Sequence, residues 1–257
     1  AENQTKDLII TPMRGSIYDR NMTELAVSAT TQEISVSPTN IRTKGLASVE
    51  IKRDEKGKAI PATDEEKEAA CLKYQQRIAK LLAKYLDLDY DETLKKIQRD
   101  QSYVRIARHV DADIADELVQ KLSDEKLSGV NTTEDSKRYY KYGNFASQVI
   151  GFTNDDGQGL YGLELQYNDV LKGVAGRVVK ATNALGSDMP YDYEKYVAAK
   201  DGNGVVTTLD EGVQHYLEKH LEEVLAQTSA KKGVCGIVMY IKTGEILAMS
   251  TKPDFDL

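Results

Sequence analysis

Two serine–lysine pairs in this 257-residue chain have the spacing that acyl-transfer chemistry uses. Ser123 with Lys126 and Ser229 with Lys232 both read Ser-x-x-Lys, and a Lys-Thr-Gly triplet follows at 242–244. On a buried helix face, a lysine one turn after a serine can accept the hydroxyl proton and make the oxygen a nucleophile. The same chemistry needs a Ser-x-Asn element and a Lys-Thr-Gly strand that faces the pocket.

The surroundings of these pairs argue against catalysis. Asp124 and Glu125 make the first pair a charged helix end, and the second pair ends a helix, where lysines complement the helix dipole. Ser-x-Asn occurs nowhere in the sequence. The triplet at 242–244 reads as a hairpin turn and follows Ser229 too closely to leave room for a domain. We therefore expect no catalytic residue in this chain.

Other reactive residue types give no site either. His215 and His220 are not at the i, i+4 spacing of helical metal pairs, and His109 has no evident partner. Cys71 and Cys235 lack the ligand spacing of a zinc site. We expect two buried thiols, although a lone disulfide stays open as an alternative. Neither a metal nor a cofactor is expected.

The charge and hydropathy of the chain exclude several classes of function. The net charge is −7, which disfavours nucleic acid as a partner because nucleic acid needs a basic face. A Gly-x-Gly-x-x-Gly pattern at 157–162 follows polar residues instead of a strand, so it does not predict a nucleotide site. No apolar run approaches the roughly 18 residues of a membrane span. The chain starts at Ala1 without Met or a signal peptide, and we expect that an upstream segment was trimmed.

The first half of the chain predicts a group of helices. Thr63 and Glu66 form a capping box that predicts the start of a long helix. Apolar residues at helical spacing predict further helices over 90–99 and 112–122. Together these segments form a helical insert at about 63–127, with an acidic, exposed surface that could contact a partner or serve only as a spacer.

The end of the chain predicts the beginning of another domain. Thr208 and Glu211 read as a capping box for a helix, and 234–252 reads as a β-hairpin with two nearly continuous apolar strands. Such strands are typical of a sheet that is covered on both faces. One helix and two strands do not complete such a sheet, so we expect the sequence to end inside a second domain.

Five motifs follow one another along the chain. They are RGSIYDRNMTELA at 14–26, RYYKYGNFASQVIGF at 138–152, GLYGLELQYNDVLKG at 159–173, DGNGVVTTLD at 201–210 and KTGEILAMSTKPDFD at 242–256. Together they resemble the N-terminal region of a class B penicillin-binding protein, close to the division and sporulation type. One such motif would be weak, but five in this order, spread over nearly the whole chain, are specific.

The resemblance implies an α+β fold in two parts. Residues 1–200 would form an elongated, non-catalytic pedestal, often called the dimerisation domain, with the helical insert at about 63–127. Residues 201–257 would form the start of an α/β transpeptidase domain, one helix and a β-hairpin, that is truncated before the catalytic serine.

The resemblance also implies a role in peptidoglycan synthesis. The parent protein would be a serine D,D-transpeptidase that cross-links stem peptides and binds penicillin, while this chain would be catalytically silent. It would be extracytoplasmic and held by a single-pass membrane anchor upstream of this sequence. Its partners would be peptidoglycan precursors through the missing domain, a membrane glycan polymerase, and division or sporulation proteins.

Two other interpretations stay open. The chain could be a stand-alone extracytoplasmic binding or scaffold module with no catalytic domain. It could also be an active hydrolase that uses Ser123 or Ser229. Labelling with a fluorescent penicillin separates the three, because only an active serine reacts with it.

The resemblance implies a structural network instead of a catalytic or binding site. In the family, arginines, carboxylates and glycines from distant segments meet, and the matching residues here are Arg14, Gly15, Asp19, Arg20, Arg138, Gly151, Glu164, Asp201 and Asp210. We expect this network to fix the angle between pedestal and transpeptidase domain, since Arg–carboxylate forks hold geometry well. The alternative is that residues 14–21 form only a solvated, charged turn.

The sequence departs from the family pattern at three positions. Met22 stands where glycine is usual, Lys141 where proline is usual and Gln148 where histidine is common. Met22 makes a tight left-handed turn there doubtful, because glycine adopts that conformation far more readily than other residues. None of the three positions carries chemistry.

Overall fold

A computed structural model of the chain describes residues 4–53, 56–182, 195–228 and 230–257. It has a mixed α+β fold, as the sequence predicts. Within the described ranges, no helix combines the length and apolar character that crossing a membrane requires. Ser229, one of the candidate nucleophiles, lies outside the described residues.

The described residues contain both strands and helices. The strands are β1 (Gln4–Ile10), β2 (Ile17–Tyr18), β3 (Glu24–Val36), β4 (Lys52–Arg53), β5 (Ala59–Ile60), β6 (Val104–Val110), β7 (Val130–Tyr140), β8 (Gly176–Thr182), β9 (Lys195–Val197), β10 (Val205–Val206), β11 (Val234–Tyr240) and β12 (Glu245–Lys252). The helices are α1 (Pro38–Ala47), α2 (Asp64–Leu86), α3 (Tyr90–Ile97), α4 (Ala112–Asp124), α5 (Ser147–Ile150), α6 (Gly162–Gln166), α7 (Asn168–Leu171) and α8 (Glu211–Thr228).

The chain divides into two compact units. The inserted unit is Thr30–Asp135, and the split unit is made of Ala1–Ala29 and Ser136–Leu257. The predicted helical insert at 63–127 lies wholly within the inserted unit. The predicted boundary between residues 200 and 201 falls inside the split unit and stays a prediction.

Helix α2 is the main helix of the inserted unit. The Thr63 side chain accepts a hydrogen bond from the Glu66 amide, and the Glu66 carboxylate accepts one from the Thr63 amide, so the predicted capping box is present. The helix ends at Asp87, which is left-handed with φ 51°. The two further predicted helices correspond to α3 and α4.

The core of the inserted unit lies between these helices and two strands. Strand β6 pairs antiparallel with the end of β3, with Val36 opposite Val104 and Gln32 opposite Val110. Apolar residues of α1, α2, α3 and α4 are buried with those of the strands, and the buried residues include Ile34, Ile41, Ile78, Leu82, Ile97, Val104 and Leu118.

The split unit is built from pieces that are far apart in sequence. Strand β8 pairs antiparallel with both β1 and β9, and β2 pairs with β3 and, in parallel, with β10. Its core contains Ile17, Leu25, Ala26, Phe145, Ala146, Ile150, Leu171 and Leu209. The β1–β8 and β10–β2 pairs therefore join the two sequence segments of the split unit.

The predicted hairpin at 234–252 is present as β11 and β12, and α8 packs against it. A Cβ added to Gly236 would lie 2.7 Å from Leu217 of α8, so helix and strand are in close contact. Ile237, Met239 and Met249 are 60%, 53% and 37% exposed. Because side chains alternate along a strand, these residues lie on the face away from α8, and that face is open in the described chain. A sheet covered on both faces stays a prediction for a complete domain.

The two cysteines differ in burial. Cys71 is buried in the inserted unit, as predicted, but Cys235 is exposed, because it shares the outward face of β11 with Ile237. The prediction of two buried thiols is therefore wrong for Cys235. Burial raises the pKa of the Cys71 thiol.

Thiol labelling of the native chain should therefore separate the two cysteines. The thiolate is the reactive form, so Ellman's reagent should modify Cys235 rapidly and Cys71 at least about ten-fold more slowly. A Cys235→Ser variant should lose the fast phase and keep the slow one, and urea should make Cys71 fast. Equal rates for both thiols in the folded wild-type chain would contradict the assigned burial.

Candidate functional site

The guanidinium of Arg14 is held by residues that lie far along the chain. Its Nε donates to Glu164 Oε2 at 2.7 Å, and its Nη2 donates to the Glu164 carbonyl oxygen at 2.8 Å. Nη1 donates to Asn168 Oδ1 at 2.9 Å and to the carbonyl oxygen of Gly157 at 3.0 Å. The Gly-x-Gly-x-x-Gly segment therefore supplies a backbone acceptor for an arginine.

Arg138 binds the other oxygen of the same carboxylate. Its Nε donates to Glu164 Oε1 at 2.8 Å, and its Nη1 donates to the Gly15 carbonyl oxygen at 2.9 Å and to Ser28 Oγ at 3.2 Å. The side chains of Arg14, Arg138 and Glu164 are 4%, 5% and 0% exposed. We call these three residues the arginine clamp. A buried carboxylate between two guanidiniums holds geometry strongly, and removing one partner leaves an uncompensated charge.

Two glycines allow the backbone around the arginine clamp to approach closely. Gly15 N donates to the Leu171 carbonyl oxygen at 2.9 Å, and a Cβ on Gly15 would overlap the carbonyl of Asn203. Gly151 has φ 75°, and a Cβ there would overlap the carbonyl of Tyr161. Each of these two positions therefore has a steric reason to be glycine.

Asp19 organises a second cluster, in the turn that follows β2. Its side chain is completely buried, and Oδ1 accepts hydrogen bonds from the amides of Asn21 at 2.8 Å and Thr23 at 2.7 Å. Met22 lies within this turn with φ 66°. The left-handed turn that Met22 made doubtful is therefore present, at a cost of about 1–2 kcal/mol for the non-glycine residue.

The Asp19 turn contacts the residues that begin α8. Asp19 Oδ2 accepts from the Glu211 amide at 3.3 Å, and the Arg20 amide donates to the Leu209 carbonyl oxygen at 2.8 Å. The Arg20 guanidinium lies 3.5 Å from the Glu245 carboxylate. We call Asp19, Arg20 and Asp210 the turn cluster, because all three contribute to this contact.

Asp210 is the residue that caps α8. Its Oδ1 accepts from the Val213 amide at 3.1 Å, and its Oδ2 lies 3.5 Å from Asn21 Nδ2. Thr208 instead donates its hydroxyl to the Ile246 carbonyl oxygen at 2.7 Å. The capping box predicted at Thr208 is therefore wrong, because the helix begins after Asp210, which is an equally good cap residue.

The nine predicted residues thus lie at separate places in the split unit. The arginine clamp includes contacts to Gly15, and its members all belong to the predicted pedestal. The turn cluster joins residues on both sides of the predicted boundary at 200. Asp201 accepts a hydrogen bond at 2.8 Å from the amide of Met13, the residue that precedes Arg14 of the arginine clamp.

A family model described as the penicillin-binding protein dimerisation domain matches residues 9–207, which include every predicted site residue except Asp210. The chain belongs to this family. Stage V sporulation protein D of Bacillus subtilis is 31% identical over 99% of the chain and 34% of the relative. Penicillin-binding protein PbpB of Mycolicibacterium smegmatis is 32% identical over 100% of the chain and 38% of the relative. The chain thus spans about a third of the length of these curated relatives.

Solved structures share the fold of this penicillin-binding protein domain. Penicillin Binding Protein 2X from Streptococcus thermophilus superposes with a TM-score of 0.65 at 23% identity, covering 98% of this chain and 36% of that chain. A complex between Penicillin-Binding Protein (PBP2) and MreC from Helicobacter pylori gives a TM-score of 0.63 at 19% identity, covering 99% and 44%. The predicted family and mixed fold are confirmed.

Gln214 and Glu218 belong to the same contact region, and sequence reasoning missed both. The Gln214 side chain donates to the Met249 carbonyl oxygen at 2.9 Å and accepts from the Met249 amide at 2.8 Å. Glu218 Oε1 accepts from Gln214 Nε2 and from the Ala146 amide, both at 2.7 Å. Both side chains are buried on α8, where an amphipathic pattern predicts apolar residues.

Lys252 is a further buried charge in this part of the split unit. Its side chain is 2% exposed, and Nζ donates to Glu222 Oε1 at 2.7 Å and to Asp254. Burial alone would lower the pKa of Lys252, but the hydrogen bonds to Asp254 and Glu222 outweigh burial and raise it. Nearby, Gln148 donates to the Thr251 carbonyl oxygen at 3.0 Å. Gln148 stands where histidine is common in the family, and its side chain still binds the backbone of β12.

The described residues that could do acyl-transfer chemistry are not arranged for it. Ser123 and Lys126 are both exposed at the end of α4, and residues 242–244 lie in the turn between β11 and β12. In the described ranges, no three His, Cys, Asp or Glu side chains come together as metal ligands. The arginine clamp and the turn cluster can position segments of the chain relative to one another.

Tyr140, whose pKa is affected by burial and by Glu164, makes the free energy of unfolding depend on alkaline pH. Its hydroxyl accepts from the Thr153 amide at 3.1 Å, and burial, followed by the nearby Glu164 charge, raises its pKa. A raised folded pKa means that stability is full below about pH 10, the unfolded value, and is lost as the pH rises through the folded value.

The Tyr140→Phe variant should therefore lose less free energy of unfolding between pH 9 and pH 11 than the wild type. At pH 8 it should be less stable by about 1 kcal/mol, because the Thr153 amide loses its acceptor. Urea unfolding at a series of pH values measures both effects. Tyr216→Phe, at a side chain that is 65% exposed, is the matched control and should follow the wild-type curve.

Proposed function

We propose that this chain is the non-catalytic N-terminal part of a class B penicillin-binding protein, a serine D,D-transpeptidase that cross-links peptidoglycan stem peptides. The match of the dimerisation-domain family to residues 9–207 carries this proposal. Relatives over most of this chain include the Peptidoglycan D,D-transpeptidase FtsI of Escherichia coli, which is 26% identical over 96% of the chain and 37% of the relative. The catalytic serine would lie in the part of the protein that this chain does not include.

In the whole protein, the pedestal stands outside the cell membrane on a single-pass anchor and carries the transpeptidase domain. Its partners would include a membrane glycan polymerase and division or sporulation proteins. The sporulation protein among the relatives and the complex of PBP2 with MreC among the structural neighbours support protein partners of this kind.

Labelling with a fluorescent penicillin tests the proposed function. The whole protein that contains this chain should be labelled at one serine, and pre-incubation with unlabelled penicillin should abolish the band. The 257-residue chain alone should not be labelled. Labelling of the chain at Ser123 or Ser229, or no labelling of the whole protein, would overturn the proposal in favour of a hydrolase or a stand-alone module.

The turn cluster is the part of the predicted network that we propose as the fixed joint between pedestal and transpeptidase domain. Asp19 supports this role because its buried carboxylate binds its own turn and the first amide of α8. The arginine clamp would act indirectly. Arg138 binds the Gly15 carbonyl oxygen, and Gly15 precedes β2, the strand that leads to the Asp19 turn.

An Asp19→Asn variant of the whole protein should therefore have a looser joint. An amide nitrogen cannot accept the hydrogen bonds that a carboxylate oxygen accepts, so the turn and α8 lose a shared anchor. Small-angle X-ray scattering should show a larger maximum dimension than in the wild type, with circular dichroism confirming that the variant is folded. Asp169→Asn, at an exposed carboxylate, is the control. An unchanged scattering profile for a folded Asp19→Asn variant would contradict the joint.

A further inference from the structure

One face of α2 carries a row of positive side chains in a chain whose net charge is −7. The row, which we call the basic stripe, consists of Lys73, Arg77, Lys80 and Lys84, and all four are exposed. Their spacing of three and four residues places them on one side of the helix. No Asp or Glu occurs from Ala69 to Leu86, so no acid on this part of the helix balances the stripe.

Ordinary helix stability does not account for the basic stripe. The helix dipole favours cations only in the last turn, which includes Lys84 but neither Lys73 nor Arg77. Like charges at i, i+4, such as Lys73 with Arg77 and Lys80 with Lys84, destabilise a helix. Selection for the helix alone would therefore favour acids at some of these positions.

The basic stripe is also poorly neutralised by the rest of the inserted unit. Arg77 lies 3.0 Å from the Glu125 carboxylate, in a pair whose side chains are 51% and 30% exposed. For Lys73, Lys80 and Lys84, no carboxylate lies within ion-pair distance among residues 4–53, 56–182, 195–228 and 230–257. By contrast, Lys67 of the same helix pairs with Asp64.

A shallow groove runs beside the stripe. It has a volume of about 740 Å³ and is lined by Lys73, Gln76, Arg77, Lys80, Ala83 and Tyr90. Its lining is mostly apolar, because the aliphatic stems of the long side chains lie beside the Ala83 methyl and the Tyr90 ring, which is 37% exposed. The groove therefore offers an apolar floor with positive charges along its edge.

We propose that the basic stripe and its groove bind an acidic peptide segment of a partner protein, one that carries apolar side chains between its carboxylates. From Lys73 to Lys84 the stripe extends about 16 Å, the length of about three turns of a helix or five residues of an extended strand. Carboxylates would pair with the lysines, and apolar side chains would cover Ala83 and Tyr90. The insert was predicted to have an acidic, exposed surface, but this face of α2 is exposed and basic.

A lipid surface fits these observations less well. The apolar face of α2, including Ile78 and Leu82, is buried in the core of the inserted unit, so the helix has no apolar face to place into a bilayer. The apolar floor of the groove also favours a peptide over a simple polyanion, which would use the charges alone. Peptide binding at the basic stripe goes beyond the proposed function. Penicillin labelling of the whole protein would be the same whether or not the stripe binds a peptide.

Fluorescence anisotropy with a labelled twelve-residue peptide of alternating Glu-Glu-Leu-Leu pattern tests the proposal. The folded 257-residue chain should bind it with an affinity that falls as salt rises. Lys73→Gln/Lys80→Gln/Lys84→Gln should bind at least about ten-fold more weakly, which corresponds to the loss of three exposed charge pairs. Lys95→Gln/Lys96→Gln/Lys121→Gln has the same net charge change elsewhere in the inserted unit and should bind like the wild type. Ala83→Gln, which makes the floor polar without changing its charge, should weaken binding although the lysines are kept.

Three results would overturn the proposal. One is no binding of the peptide, and another is equal weakening by both triple variants, which would indicate unspecific charge attraction. The third is binding of inorganic polyphosphate or of phosphatidylglycerol vesicles with the same loss in the stripe variant and with greater affinity than the peptide. Because exposed lysine-to-glutamine changes alter stability little, thermal melts should confirm that every variant is folded.

Discussion

Replacing Glu164 with glutamine is expected to lower the free energy of unfolding by about 3–5 kcal/mol, because two buried guanidiniums lose their shared counter-charge. The carboxylate is fully buried and accepts from Arg14 and Arg138 on its two oxygens. A glutamine keeps the shape but presents one amide nitrogen to a guanidinium that can only donate. Urea or thermal unfolding of the folded chain measures the loss.

The control for Glu164 is a glutamate in an exposed ion pair. Glu68 pairs with Arg42, and both side chains are 54% exposed, so Glu68→Gln should change the free energy of unfolding by less than about 1 kcal/mol. If both variants lost the same small amount, the arginine clamp would not be the buried unit described here. A double variant, Glu164→Gln with Arg138→Met, should recover part of the loss, because one unpaired charge is removed.

Replacing Gly151 with alanine should destabilise the fold by about 3–5 kcal/mol, from backbone strain and overpacking together. The residue has φ 75°, and the new Cβ would overlap the carbonyl of Tyr161, a backbone group that cannot rotate away. The segment before α6 would have to move, and α6 carries Glu164. Unfolding measurements would report the stability loss.

Gly244 separates the two causes of that loss. It has φ 79°, similar to Gly151, but a Cβ there would meet nothing within 4 Å. Gly244→Ala should therefore cost only the strain of a left-handed alanine, about 1–2 kcal/mol. If Gly151→Ala lowered the free energy of unfolding no more than Gly244→Ala, the close approach of Gly151 to Tyr161 would not contribute to stability.

Local signals in the sequence predicted local structure correctly where the interactions involved are themselves local. The capping box at Thr63 and Glu66 predicted the start of α2, since both of its hydrogen bonds are made within four consecutive residues. The same signal was wrong at Thr208, because Asp210 is also a cap residue and the contact of Thr208 with Ile246 depends on a strand 38 residues away. A pattern of four residues contains no information on that competition.

The candidate site could be predicted only in part. The resemblance pointed to Arg14, Arg138 and Glu164, although nothing in composition or spacing could pair residues 150 positions apart. Gln214 and Glu218 were missed because their buried partners are backbone groups of Met249 and Ala146. Helical periodicity predicts that polar residues are exposed. It is therefore wrong for polar residues that are buried because they bind backbone groups.

The inserted unit interrupts the sequence of the split unit, and this order has a consequence for protein synthesis. Strand β1 pairs with β8, so that Gln4 lies opposite Thr182, and Arg14 requires Glu164. A nascent chain that emerges N-terminus first therefore has no partner for its first strand until the ribosome has passed residue 182. Thr30–Asp135 forms a compact unit from one continuous stretch of chain, so it can fold during that interval. The early residues must wait, solvated and unpaired, for a loop of that size to close.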